Sequence, residues 1–244
     1  LTALAIAKVD SSKYEEAIPL LLQAIEMENP VAQFELGKLY EKGNGVEVDF
    51  EKSTELYMAS AALGHGKAQL KCGESFMMGQ GVEQNRELGL KYLEECAAQG
   101  ILKCKIRLLQ AYRNGIGVEV DNEKAMEFGA SIGRLKPNKD SLDNQMILTT
   151  RVNLARIYLF GDGVEKDTVE SHKWALIYNE DKHLISPKGQ NNMLSNMKSY
   201  LDYMTDEAKA ESRSRAEQTL GGPLQNFDNL FTVEDKSNSD SHTE

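Results

Sequence analysis

No stretch of this 244-residue chain is apolar for long enough to cross a bilayer as a helix, and its mean hydropathy of −0.47 is that of a water-soluble protein. Basic residues are the scarcer charge: 28 Lys and Arg stand against 38 Asp and Glu, a formal net charge of −10. A field of that sign repels phosphate backbones and anionic headgroups, so nucleic acid is not an expected partner. Cysteine is sparse, three in all, too few for a small disulfide scaffold. The four histidines, His65, His172, His183 and His242, have neither the i,i+4 pairing nor the cysteine neighbours of a metal site, and no metal is expected. An initiating methionine and a basic, apolar leader are also missing ahead of Leu1, which already stands in a helical pattern; the expectation is a removed leader or a trimmed chain.

What the chain does have is glycine in a recurring place. The loop GNGVEVD, Gly43 to Asp49, returns as GQGVEQN from Gly79, GIGVEVD from Gly115 and GDGVEKD from Gly161. The first three begin 36 residues apart and the fourth 46 after the third, so a ten-residue insertion is expected over 138–147. A fixed period of this size marks a solenoid, in which each repeat hides its apolar side against its neighbours. Within one period Ala32, Leu36, Leu39 and Tyr40 fall on one side of a first helix. Gly43 can end that helix in the left-handed conformation. Val46, with its counterparts Val82, Val118 and Val164, is placed to plug the gap between two helices. Asp49, Asn85, Asp121 and Asp167 are suited to accept hydrogen bonds from the free amides that open a second helix. A phosphate-cradling role does not fit. The pattern G-x-G-V-x-x-[DN] lacks the third glycine of a dinucleotide loop and the Gly-Lys-Ser/Thr of a P-loop, it follows a helix and not a strand, and its closing acid repels an anion. No cofactor is expected.

Read in this frame, NPVAQFELGKLYEKGNGVEVDFEKSTELYMASAALG resembles the SEL-like repeat (SLR), a cousin of the tetratricopeptide repeat. The resemblance is carried by Ala32, Leu36, Gly37, Tyr40, Gly43, Gly45, Val46, Asp49, Lys52, Tyr57, Ala61 and Gly64, and by equivalent residues in three further copies. Departures include Cys72 for the usual leucine, Phe76 for the tyrosine, Leu88 for the lysine and Leu109 for a glycine. The family implies an all-α fold, a right-handed α/α superhelix of antiparallel helix pairs, with repeats over 30–65, 66–101, 102–137 and 148–185. Residues 1–29 read as a plain tetratricopeptide-like helix pair, 186–222 as a capping pair, and 223–244 as an acidic tail expected to be largely disordered.

The resemblance also implies a function: a non-enzymatic adaptor that holds a peptide or protein segment on a concave face lined by the first helices. The frame puts Phe34, Leu70, Ile106 and Val152 in one register and Lys38, Glu74, Gln110 and Arg156 one turn on, with Met77, Met78 and Arg113 nearby. The apolar register serves equally well as core. The polar one is the better candidate, because packing does not dictate its varied residues. Self-association is a further expectation for such an array. Trp174 occupies the family's aromatic position and reads as core, as does Cys72, which aligns with Leu36, Leu108 and Leu154. The catalytic alternative is a β-lactam-binding or hydrolytic protein using the S-x-x-K of Ser195 and Lys198, since some cysteine-rich SLR proteins are linked to β-lactam binding. It lacks a Lys-Thr-Gly and any group to activate the serine.

Cys96 and Cys104 align with the small residues Ser60 and Ala68 one repeat earlier, positions that should face each other across the inter-repeat turn, within reach of a disulfide. Their eight-residue offset resembles cysteine-rich SLR proteins exported by some bacteria, which implies an oxidising, periplasmic or secreted location. Two reduced, buried thiols are the alternative.

Overall fold

The computed structural model describes residues 1–138, 143–184 and 203–226, which contain helices and no strand and belong to two compact units, Leu1–Asp121 and Asn122–Glu244. In the first unit seven helices follow one another: α1 (Thr2–Asp10), α2 (Tyr14–Ile25), α3 (Pro30–Lys42), α4 (Phe50–Ala62), α5 (Gly66–Met78), α6 (Arg86–Ala98) and α7 (Leu102–Asn114), each packed on its chain neighbour. Pro19 stands inside α2, which runs through it.

The caps explain where these helices begin and end. Asn29 accepts the Ala32 amide at 3.0 Å with Pro30 at the first helical position, Asp49 accepts that of Lys52 at 2.9 Å, and Asn85 that of Leu88 at 3.0 Å. The first helices α3, α5 and α7 stop on left-handed glycines, Gly43, Gly79 and Gly115, with φ between +67° and +73°. The loop then closes on the helix it left: the Asp49 amide donates to the Tyr40 carbonyl at 3.0 Å, and Asn85 and Asp121 donate to Phe76 and Tyr112 at 2.9 Å. Its valine turns inward. Val46 packs on a core of Ala5, Leu21, Ala32, Leu36 and Leu39, and Val82 on one of Phe34, Tyr57, Ala68, Cys72 and Phe76.

The second glycine of each loop marks a close approach. A Cβ on Gly81 would lie 2.0 Å from the Phe50 carbonyl oxygen; on Gly45 it would lie 2.5 Å from the Tyr14 Cβ, and on Gly117 2.6 Å from the Arg86 Cβ. Tyr14, Phe50 and Arg86 are the first residues of α2, α4 and α6. Each loop is therefore seated on the start of the preceding repeat's second helix, at a distance only a residue without a side chain allows.

The second unit contains α8 (Asn122–Gly133), α9 (Asn144–Phe160), α10 (Thr168–Asp181), a short 3-10 helix (Lys182–Leu184) and α11 (Asp206–Leu220). The same devices recur. Gly161 ends α9 at φ +72°, Asp167 caps α10 by accepting the Glu170 amide at 2.8 Å, and a Cβ on Gly163 would lie 2.8 Å from the Asn122 side chain at the start of α8. Trp174 is fully buried in a core with Leu148, Leu154, Leu159 and Ile177, joined by Ala216 of α11. Arg151, on α9, is wholly buried as well. Its guanidinium donates to the carbonyls of Gly133 (2.8 Å), Leu135 (2.9 Å) and Ile177 (3.0 Å) and to the Asp181 carboxylate (2.6 Å). It satisfies the carbonyls of Gly133 and Leu135, at and just past the end of α8, and adds a bond to the Ile177 carbonyl of α10. Helix α11 meets α10 through His172 Nδ1 and Ser212 Oγ, 2.7 Å apart. The Ser212 hydroxyl also reaches the Lys209 carbonyl at 2.8 Å. Of the capping pair expected over 186–222 only α11 lies among the described residues; Ser195, Lys198, residues 139–142 of the insertion and the tail beyond Asn226 lie outside them.

Candidate protein-binding face

The first helices of the first unit carry a ladder of charged side chains set by the repeat period. Lys38, Glu74 and Gln110 share one register, Glu35, Lys71 and Arg107 another. Glu41, at the end of α3, receives Lys71 of α5 at 2.7 and 2.9 Å, and Glu74 of α5 receives Arg107 of α7 at 2.8 Å. Lys38 pairs with Glu35 on its own helix at 2.6 Å, and its ammonium stands 5.4 Å from the centre of the Phe34 ring. Glu41 also accepts the Tyr57 hydroxyl at 2.7 Å, which ties the first rung to α4. Burial pulls the Glu41 carboxyl up, but the hydrogen bonds from Lys71 and Tyr57 outweigh it and leave the group below the usual carboxylate value. Burial and the same Glu41 contact push the Tyr57 phenol well above its ordinary range. These ion pairs are partly exposed, a setting in which a pair contributes only about 0–1 kcal/mol. They orient side chains more than they hold the helices together.

Two residues expected on this face are core instead. Phe34 is 7% exposed, packed against the Tyr57 and His65 rings with centroids 5.6 and 4.8 Å away, and Val152 is 1% exposed within the Trp174 cluster of the second unit. In both cases the apolar register points to the neighbouring second helix and so cannot offer contact area to a partner. Leu70 and Ile106 are half-buried, as is Arg113, and Gln110 is exposed. Met77 is turned toward α6, its Cγ 2.9 Å from where a Cβ on Gly89 would sit; its neighbour Met78 is the exposed methionine, at 64%. Arg156 belongs to the second unit, where it stands 3.6 Å from Asp162. Sequence reasoning missed Glu41, Lys71 and Arg107, although the sign alternation of residues 35, 71 and 107 against 38, 74 and 110 was available as a signal.

Cys96 and Cys104 form a disulfide in the structure, with Cα atoms 5.9 Å apart, while Cys72 is free and buried. Among the described residues no group of three or more His, Cys, Asp and Glu side chains could hold a metal ion, and no helix is long and apolar enough to cross a membrane.

Comparison with known proteins agrees with this geometry. The family described as Sel1 repeat matches residues 30–65, 66–101, 110–129 and 151–177. The crystal structure of a Sel1 repeat protein from Oxalobacter formigenes superposes with a TM-score of 0.69 at 24% identity, over 90% of this chain and 85% of that one. A second crystal structure is that of c5321, a protective antigen present in uropathogenic Escherichia coli strains and displaying an SLR fold. It gives a TM-score of 0.68 at 21% identity over 89% of this chain, which spans 45% of its length. No curated protein matches the chain. The chain belongs to the Sel1-like repeat family of helical repeat proteins, an α-solenoid of helix pairs. Repeats of this family generally serve as protein–protein interaction modules, in scaffolds that are typically non-enzymatic.

Proposed function

We propose that this protein is a non-enzymatic scaffold that holds a peptide or protein segment against the first-helix face of its repeats. One observation carries the reading: successive first helices present different charges at the same register, Lys38, Glu74 and Gln110, and neighbouring helices share rungs at Glu41–Lys71 and Glu74–Arg107. Such partly exposed pairs cost little to open and re-form with a ligand's own charges, so the face selects by charge sequence without loss of fold. Exposed Met78 adds a flexible apolar contact beside it.

Photocrosslinking tests the proposal. A photoreactive amino acid placed at Gln110 captures the partner in the native host, whereas the same group at Met58, exposed on the second helix α4, does not. Substituting Lys38 and Glu74 by alanine abolishes the Gln110 adduct and leaves helical content unchanged. Adducts at Met58 alone would place the interaction elsewhere.

A further inference from the structure

A second candidate surface lies within the other unit. One face of α8 forms a wall there: Glu123, Met126, Glu127 and Ala130 follow at helical spacing, with Arg134 just past the helix end, along a cleft of about 970 Å³. The opposite wall is the fourth glycine loop with Val164 and Glu165, and Tyr158 of α9 also lines the cleft. Met126, Ala130 and Tyr158 pack on the Trp174 core beneath, so the floor is apolar.

The first unit contains the same cleft one repeat earlier, and the difference between them is informative. There Leu90, Lys91 and Glu94 of α6 face Tyr112 and Val118 across a space of about 420 Å³. Glu94 accepts the Tyr112 hydroxyl at 2.7 Å and thereby occupies the opening. In the later cleft Ala130 stands where Glu94 does, 36 positions on, while the tyrosine and valine are kept as Tyr158 and Val164. The truncation removes the carboxylate, opens the cleft to more than twice the volume, and leaves the Tyr158 hydroxyl without a hydrogen-bond partner among the described residues.

The charges around it are not equivalent. Glu170 is held by Lys173, by the Trp174 indole N–H at 3.1 Å and by Arg215 at 3.5 Å, and Asp167 caps α10 with Arg215 3.9 Å away. Glu123, Glu127 and Glu165 are exposed and have no ion-pair partner among the described residues. Glu123 and Glu127 lie one turn apart at the start of the α8 wall with Met126 between them; Arg134 comes eleven residues after Glu123, about 16 Å along the axis at 1.5 Å per residue. Lys166 follows Glu165 in the loop and is the other basic side chain of the lining. Three unpaired carboxylates flanking an apolar floor match a side chain with a methylene stem and a cationic head, which covers apolar surface with its stem and keeps its charge at the rim.

We propose that this cleft docks a lysine- or arginine-bearing apolar segment of a partner protein, the cation lying between Glu123, Glu127 and Glu165 and the stem on Met126, Val164 and Tyr158.

The test uses the full chain and fluorescein-labelled nine-residue peptides of alternating leucine and arginine, or leucine and glutamate, read by fluorescence anisotropy at low salt. The arginine peptide binds saturably at one site and the glutamate peptide does not bind. E123Q/E127Q/E165Q weakens binding at least tenfold, while the control E47Q/E51Q/E55Q, three exposed acids of the first unit, leaves it within twofold. A130E, which restores the carboxylate of the earlier cleft, weakens binding although it makes the protein more negative. No binding of the arginine peptide, equal losses in the two triple variants, or tighter binding by A130E would each overturn the proposal. A variant altered at Lys38 and Glu74 keeps the arginine peptide, so failure here is distinguishable from failure of the first-helix face.

Discussion

Gly81 sits against the Phe50 carbonyl, so close that a Cβ would fall 2.0 Å from its oxygen. Phe50 opens the second helix of one repeat and Gly81 belongs to the loop of the next, and the relationship recurs between Gly45 and Tyr14, Gly117 and Arg86, and Gly163 and Asn122. The loops are alike because the joints are alike. Their backbone amides are spent on the chain itself, as when Asp49 donates to Tyr40 and Asp167 to Tyr158, so a phosphate would have to displace bonds already made.

Arg151 is buried and makes four hydrogen bonds, so the second unit depends on it. Replacing it by leucine strands the carbonyls of Gly133 and Leu135 and the Asp181 carboxylate and removes a bond to Ile177, and losses of about 3–5 kcal/mol are typical when one partner of a buried pair is removed. Lysine keeps the charge but not the planar fork that reaches four acceptors. Urea unfolding followed by the emission of Trp174, the one tryptophan, should show both variants destabilised, R151L by several kcal/mol and R151K by at least about 1 kcal/mol. An R151K curve superposing on the parent would mean that the fork is not needed.

His172 makes the seat of α11 sensitive to acid. Burial, helped by the nearby Lys209 charge, pushes its pKa down to about 4 from an ordinary 6.5. The folded imidazole therefore stays neutral through a range in which the unfolded chain takes up a proton. The stability it contributes is complete above pH 6.5 and is lost progressively as pH falls toward 4, up to roughly 3 kcal/mol by linkage. Because carboxylates also titrate in this range, the informative quantity is the difference between the parent and H172Q. The parent should lose stability more steeply between pH 7 and 4.5; parallel slopes would remove His172 from the explanation.

The periodic parts of this structure were legible because they rest on backbone geometry. Gly43, Asp49 and Val46 each answer a local demand, a left-handed stop, an amide cap and a gap between helices, and a sequence states such demands directly. The candidate face was legible only in part. Phe34 and Val152 share a register with half-buried Leu70 and Ile106, and what buries them is the shape of the facing second helix, which no one-dimensional pattern reports. Arg151 was invisible for a related reason. It stands in the register of Gln33, Gln69 and Lys105, and only the ends of α8 and α10 give its guanidinium something to do.

Gly81 and Gly64 provide the most direct measurement of whether the loops serve as joints. Both are left-handed, at φ +69° and +80°, so alanine strains the backbone at each by a similar amount, about 1–2 kcal/mol. They differ in surroundings: a Cβ on Gly64 meets nothing within 4 Å, whereas one on Gly81 meets the Phe50 backbone. Chemical denaturation followed by far-ultraviolet circular dichroism should find G81A less stable than G64A by at least about 2 kcal/mol, the order of an overpacked contact that cannot yield. Equal losses in the two variants would show that the loop does not bear on the preceding helix.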